Sequence, residues 1–462
     1  MVTIDMLPDL ALLEIFHFYI HDLRTRAWWT LVHVCQKWRN IVFQSPRRLD
    51  LRLHCGVSTP VRETLDVWPP LPISISAYDP ENWVGDNIIA ALEHNDRISE
   101  FQFSFVPSAE IYKVLASMLK PFPALTRLEL VLRGTYEGLL VSASFLGGSA
   151  PRLRTLILDR IPFLGLTNLL LSAVQLVHLQ LWNIPHLGYF SPEAMVTCLS
   201  VLTRLECLDI RFKSARSHPN RRRNSRRPAP QTRILLPFLA EFGFSGSSEY
   251  SEVLVARIDA PLLDKLGIIF FHEQIFDTPQ LSQFIARTPK FNSVDEAHVV
   301  FSYYQVLIRL PQPFDGDLYL AVRYTGQNWL LSCTAQLYRL SFPWSLISTV
   351  ERLYIFETVI SNPVCQNYID SHHWLELLDP FTTVKDLYIS WEVLPRITPA
   401  LQELVGERVT EVLPALRNLF LEKTLPSGTV QEGIQQFIDA RQRAIYPVDI
   451  SCWDRTWLKW GY

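Results

Sequence analysis

The sequence predicts an α/β protein: a small all-helical module at the N-terminus, then a curved solenoid with a parallel β-sheet on its concave face. Three observations predict it. Apolar residues recur at helical spacing through residues 4–48. From Ile98 onward a pattern of the form L-x-x-L-x-L returns at intervals of roughly 20 to 35 residues. Finally, 31 prolines and 17 glycines mark frequent chain reversals in a 462-residue chain that is 48% hydrophobic.

The helical module, residues 1–48, comes first. Pro8 stands where a first helical residue tolerates proline, because its missing N–H would have no helical partner there. Leu12, Ile15, Phe16 and Tyr19 follow at i, i+3, i+4 and i+7, on one helix face. Leu31, Val34, Cys35 and Trp38 repeat that spacing, and Ile41 and Val42 extend the stripe. So short a set of helices buries little surface by itself. It needs a wall, either the rest of this chain or a partner.

Leu7-Pro8, Leu12, Ile15-Phe16, Leu31, Val34-Cys35 and Trp38-Arg39 together resemble the F-box, the adaptor module of cullin-based ubiquitin ligases. The resemblance implies three short helices in which Leu7, Pro8, Leu12, Ile15 and Leu31 dock on a Skp1-like adaptor. It implies equally that Phe16, Val34, Cys35 and Trp38 form the module's core. Trp29 to Leu53, with Ser45-Pro46-Arg47-Arg48-Leu49, is similar to F-box proteins expanded in mushroom-forming fungi, and that likeness continues through most of the chain. The likeness implies a substrate-recognition subunit that attaches to Skp1 and a cullin complex and holds an unidentified protein target. The other reading of the same residues is the core of a helical cap on a repeat protein without any ligase.

The array, residues 49–450, is carried by Leu125/Leu128/Leu130, Leu153/Leu156/Leu158, Leu176/Leu179/Leu181 and Leu205/Leu208/Ile210. Looser copies stand at Ile98/Phe101/Phe103, Leu239/Phe242/Phe244, Leu263/Leu266/Ile268, Val350/Leu353/Ile355, Val384/Leu387/Ile389 and Leu416/Leu419/Leu421. Ala297-His298-Val299 and Leu318-Tyr319-Leu320 fill most of the gap between them. In each L-x-L strand the leucines point into the core, and the residues before the next strand suffice for a crossover back. Helical stripes at Glu110–Leu119, Pro192–Leu202 and Gln431–Arg441 fit such crossovers. Units of this kind bury their faces only by stacking. The pattern is leucine-rich-repeat-like but irregular, since Ile161-Pro162 and Ile184-Pro185 replace the usual asparagine.

Two features inside the array bear on function. Residues 211–233 hold nine Arg or Lys and no acid, which predicts a disordered basic insertion. Its readings are nuclear import, contact with acidic partners, or phosphorylation at Ser225, set against a plain solvated loop. The second feature is the middle residue of each L-x-L, which faces away from the core. In the last units these are Tyr319, Tyr354, Tyr388 and Phe420; earlier they are mixed, as Glu129, Ile157, Gln180, Asp209, Gly243 and Gly267. The four aromatics are candidate substrate-binding residues in a contiguous ladder, or they simply stack on one another under the C-terminal tail. In residues 451–462, Trp453, Trp457 and Trp460 stand at i, i+4 and i+7, an aromatic stripe that would cap the last repeat.

Chemistry is not expected. There is no G-x-x-x-x-G-K-[ST], no G-x-G-x-x-G and no G-x-S-x-G, and His372-His373 lacks an H-E-x-x-H frame. A non-catalytic protein with no cofactor and no metal is the expectation. Seven scattered cysteines without a C-x-x-C pair point to reduced thiols in cytoplasm or nucleus. A net charge of −3 argues against a specific nucleic-acid partner. Ile161 to Pro192 lacks Asp, Glu, Lys and Arg, yet Asn168, Gln175, His178, Gln180, Asn183 and Pro185 interrupt it, so no membrane span is expected.

Overall fold

The computed structural model describes residues 7–23, 27–56, 60–77, 85–104, 108–132, 139–215, 232–271, 276–302, 305–312, 316–323, 330–358, 371–422 and 428–454. They form two compact units, residues 1–189 and 190–462.

The first unit opens with α1 (Asp9–Leu23), α2 (Ala27–Val34) and α3 (Gln36–Gln44). Strand–helix alternation follows: β1 (Leu53–Cys55), α4 (Val61–Val67), β2 (Ile73–Ala77), α5 (Gly85–Leu92), β3 (Ile98–Ser104), α6 (Ser108–Ser117), β4 (Arg127–Val131), β5 (Thr155–Asp159), α7 (Leu166–Ser172) and β6 (His178–Ile184). Strands β1 to β6 pair in chain order and all in parallel. The L-x-L leucines fall in register: Phe101, Leu128, Leu156 and Leu179 are successive neighbours, as are Phe103, Leu130, Leu158 and Leu181. All eight are buried, whereas Gln102, Glu129, Ile157 and Gln180 between them are half-exposed. One residue of alternation therefore separates core from surface, as the sequence pattern requires.

The second unit contains α8 (Pro192–Leu199), β7 (Cys207–Phe212), β8 (Ile234–Leu235), β9 (Glu241–Gly246), α9 (Ser248–Val255), β10 (Ile258–Asp259), β11 (Lys265–Phe271), α10 (Pro279–Arg287), β12 (Glu296–Phe301), β13 (Gln305–Pro311) and β14 (Asp317–Arg323). It continues with α11 (Leu330–Ser341), α12 (Trp344–Ile347), β15 (Arg352–Glu357), α13 (Ser371–Leu378), β16 (Asp386–Ile389), α14 (Leu394–Gln402), β17 (Asn418–Glu422), α15 (Thr429–Arg443) and β18 (Asp449–Trp453). Helices α8 to α11, then α13 to α15, pack in sequence as a second layer. Ser191 and Ser247 cap α8 and α9 through their hydroxyls, satisfying N–H groups that the first turn leaves open.

The expected all-parallel order fails in the middle of this unit. The strands run β7-β9-β11-β14-β13-β12-β15-β16-β17-β18, with β13 antiparallel to both β12 and β14. Ala297-His298-Val299 and Leu318-Tyr319-Leu320 are thus not two successive repeats but the outer strands of a meander entered from its far side. The links between these strands are too short for a helical crossover, and a short link forces antiparallel pairing. Either side of the meander, parallel order resumes.

Candidate functional site

In the first unit, the helical module closes on itself and on the start of the repeats. Leu12, Leu13, Phe16, Leu31, Val32, Ile41 and Val42 form its core, and the Phe16 and Trp38 rings lie 4.8 Å apart. Trp68, just after α4, meets Trp28 at 5.2 Å, Trp29 at 5.3 Å and Phe43 at 6.1 Å, and Trp28 Nε1 donates to the Arg52 carbonyl at 3.1 Å. The wall that so small a module requires is therefore provided by this chain.

This placement corrects several expectations. Leu12 and Leu31, expected to dock on a partner, belong to the module's own core. Leu7 is half-buried, with its carbonyl accepting from Lys37 Nζ at 3.2 Å, and Pro8 is exposed. Ile15 is exposed, although the sequence spacing placed it on one face with the buried Leu12 and Phe16. Val34, expected in the core, is 55% exposed. The physical reason is a break at Cys35, whose extended backbone (φ −158°, ψ 168°) ends α2 and caps α3, the thiol accepting from Trp38 N at 3.5 Å. Helical spacing does not carry across such a break, so Leu31, Val34, Cys35 and Trp38 do not form one stripe. Besides Pro8, Ile15 and Val34, the apolar side chains Leu10 and Phe18 (71% exposed) stand in solvent.

In the second unit, the middle residues of the strands form one row on the sheet face turned away from the core. In spatial order it reads Asp209, Gly243, Gly267, Tyr319, Arg309, His298, Tyr354, Tyr388, Phe420 and Ser451. The four-aromatic ladder is thus interrupted, because β13 and β12 place Arg309 and His298 between Tyr319 and Tyr354. Tyr319 lies instead over Gly267, where a Cβ would collide with its phenol, while at Gly243 a Cβ would stand 2.7 Å from Asp209 Oδ1. The other three aromatics do form a stack. Tyr354 and Tyr388 lie 4.2 Å apart at 14°, and Tyr388 and Phe420 4.3 Å apart at 6°. Trp453 stands edge-on at 5.5 Å from Tyr388 and 6.0 Å from Tyr354, its Nε1 donating to the Ile389 carbonyl at 3.3 Å. Tyr354 and Tyr388 are consequently buried and Phe420 half-buried, so the ladder is covered, not open.

The polar members of the face are paired with one another. Arg309 Nε lies 2.8 Å from Asp317 Oδ1, Arg211 Nη2 2.7 Å from Asp209 Oδ2, and His298 Nε2 3.5 Å from Glu296 Oε1. The hydrogen bond with His298 holds the Glu296 carboxyl below the usual carboxylate range, and burial pushes Asp317 and Tyr319 up. The arrangement offers flat aromatic faces, a carbonyl acceptor and paired charges, a chemistry of binding. Among the described residues no group of three or more His, Cys, Asp or Glu is placed to hold a metal ion, and no helix is long and apolar enough to cross a membrane.

Ser225 and most of the basic insertion, like Trp457 and Trp460, lie outside the described residues. Trp453 belongs to a strand, not to a helical tryptophan stripe. Cover of the ladder by the C-terminal tail was one of the two sequence readings, but the part of Trp453 in it and the contribution of Arg309 were missed. Ile308-Arg309-Leu310 carries the same apolar alternation as the other strands and was the available signal for Arg309; nothing local signals the fold-back of Trp453.

No family profile matches the chain, and no curated protein matches it. Among solved structures it is similar to the leucine-rich repeat-containing protein LegL7 from Legionella pneumophila, at 11% identity and a TM-score of 0.27, over 84% of this chain and 97% of that one. The repeat assignment rests on the strand register above, not on that likeness.

Proposed function

We propose that the protein is a non-catalytic substrate-recognition subunit of a Skp1–cullin–F-box type ubiquitin ligase. On this reading the helical module attaches it to a Skp1-like adaptor, and the repeat surface holds a protein target near a ubiquitin-loaded enzyme. Its contribution to transfer is effective concentration and positioning, not proton chemistry. The observation that carries the reading is the helical module, where Leu10, Ile15, Phe18 and Val34 stay exposed although its core is already closed by Trp68. Large apolar groups left in water on a finished module favour a partner.

The test is co-expression with Skp1. A stable complex is expected, lost on Phe18→Asp with the circular dichroism unchanged; Leu12→Asp should unfold the module and so is a poor docking probe. Failure of the parent protein to bind Skp1 would overturn the ligase role. It would favour the second reading, an interaction scaffold without a ligase, which the aromatic row supports because that surface needs no adaptor.

A further inference from the structure

This inference rests on reading the aromatic row as a partner-binding surface, and not on the adaptor role of the helical module. In β4 of the first unit the two strand faces alternate between buried and half-exposed. At β12 and β15 both faces are buried: Val300, Tyr354 and Phe356 are as enclosed as the core residues Leu353 and Ile355. Part of the cover is β18. This strand ends the strand order, parallel to β17, with Asp449, Ser451 and Cys452 exposed and Ile450 half-buried. Its only buried side chain is Trp453, in one apolar cluster with Val300, Tyr354, Phe356 and Tyr388.

Among the described residues β18 is an edge strand, joined to β17 by one ladder of hydrogen bonds and anchored on the sheet face by the Trp453 indole, and edge strands are among the elements that open at low cost. What it would uncover is specific. There are stacked Tyr354, Tyr388 and Phe420 rings, an acceptor at the Ile389 carbonyl, and the backbone edge of β17.

We infer that β18 is an intramolecular stand-in for the partner: the site takes an extended peptide carrying an indole or phenol side chain, which pairs with β17 and replaces Trp453. Strand addition of this kind draws affinity from main-chain hydrogen bonds and specificity from one side-chain pocket. The donor on the incoming ring matters, because a phenylalanine would leave the Ile389 carbonyl without the N–H it now accepts.

The test uses the full chain. A fluorescently labelled peptide of residues 446–454 is titrated by anisotropy into the parent protein and into Trp453→Ala. Saturable binding to Trp453→Ala is expected, at least about tenfold tighter than to the parent, since an aromatic anchor normally carries that much affinity. It should be lost when the peptide's own tryptophan is alanine, or when Tyr354→Ala is added to the protein. No binding to Trp453→Ala, or equal binding to both proteins, overturns the proposal. Hydrogen exchange on the parent gives a second measurement that does not depend on the variant's folding. The amides of 449–453 should exchange faster than those of 386–389 and 418–422, and equal protection counts against a removable strand. Skp1 co-purification should be untouched by Trp453→Ala, so the two proposals fail separately.

Discussion

Replacing Arg441 with methionine should destabilise the end of the second unit by about 2–4 kcal/mol. Arg441, on α15, is fully buried, and its guanidinium donates to the carbonyls of Val409 at 3.0 Å, Leu416 at 3.1 Å and Leu413 at 3.3 Å. Nε reaches the Tyr446 carbonyl at 3.4 Å, and the Phe437 and Tyr446 rings flank the charge at 5.9 and 5.8 Å. Burial lowers its proton affinity below the ordinary arginine value. Methionine fills a similar volume and removes the desolvation penalty of the charge, but strands the acceptors. Leu413 O keeps a second donor, the Leu416 N–H at 3.1 Å, so the loss falls mainly on Val409 O and Leu416 O. Two buried acceptors at roughly 1–3 kcal/mol each give the stated range, after allowing for the relief of the buried charge. Because repeats couple mainly to their neighbours, the effect should be local. Urea midpoints and hydrogen exchange of 394–453 measure it. If Arg441→Met lies within about 0.5 kcal/mol of the parent, a level typical of neutral surface changes, the reasoning fails.

Further outcomes are expected at other buried groups. Glu252 accepts from the Gln280 and Leu281 N–H groups at the start of α10, both at 2.8 Å, and burial pushes its carboxyl up to about 7 from 4.5. A carboxyl raised on folding binds its proton more tightly in the native state, so stability should fall as pH rises from about 4.5 through about 7. Glu252→Gln should flatten that part of the stability–pH curve, measured by urea unfolding at pH 5 and pH 8. Gly267→Ala should push the Tyr319 phenol off its seat at small cost, because the clash is with the far end of a side chain. A double-mutant cycle with Tyr319→Ala should then return a coupling of at least about 0.5 kcal/mol, and additivity would mean that the two do not touch in solution. Trp68→Ala should loosen α2 and α3 together, read as faster exchange in 27–44, since Trp28, Trp29 and Phe43 all lean on it.

Much of the strand framework was legible because side-chain alternation is a local property. Leu128/Leu130, Leu156/Leu158 and Leu387/Ile389 each announce a strand with its buried face, and the structure puts them in register. The helical crossovers at 108–117, 192–199 and 429–443 were legible for the same reason. Less of the candidate site could be read. Tyr354, Tyr388 and Phe420 were placed in one stack correctly, since consecutive parallel strands bring equivalent positions together. Tyr319 was not, because its neighbour depends on the direction in which the next strand pairs.

The sequence by itself determined which residues face the core, where strands begin, and which aromatics occupy equivalent positions, all consequences of spacings of two to four residues. Tertiary structure alone decided the reversed order of β12, β13 and β14, the break at Cys35 that turns Val34 outward, and the Trp453 indole over Tyr388. Each of these depends on contacts between residues far apart or on how a short link closes. Such choices are set by the packing of the whole unit, which no local spacing encodes.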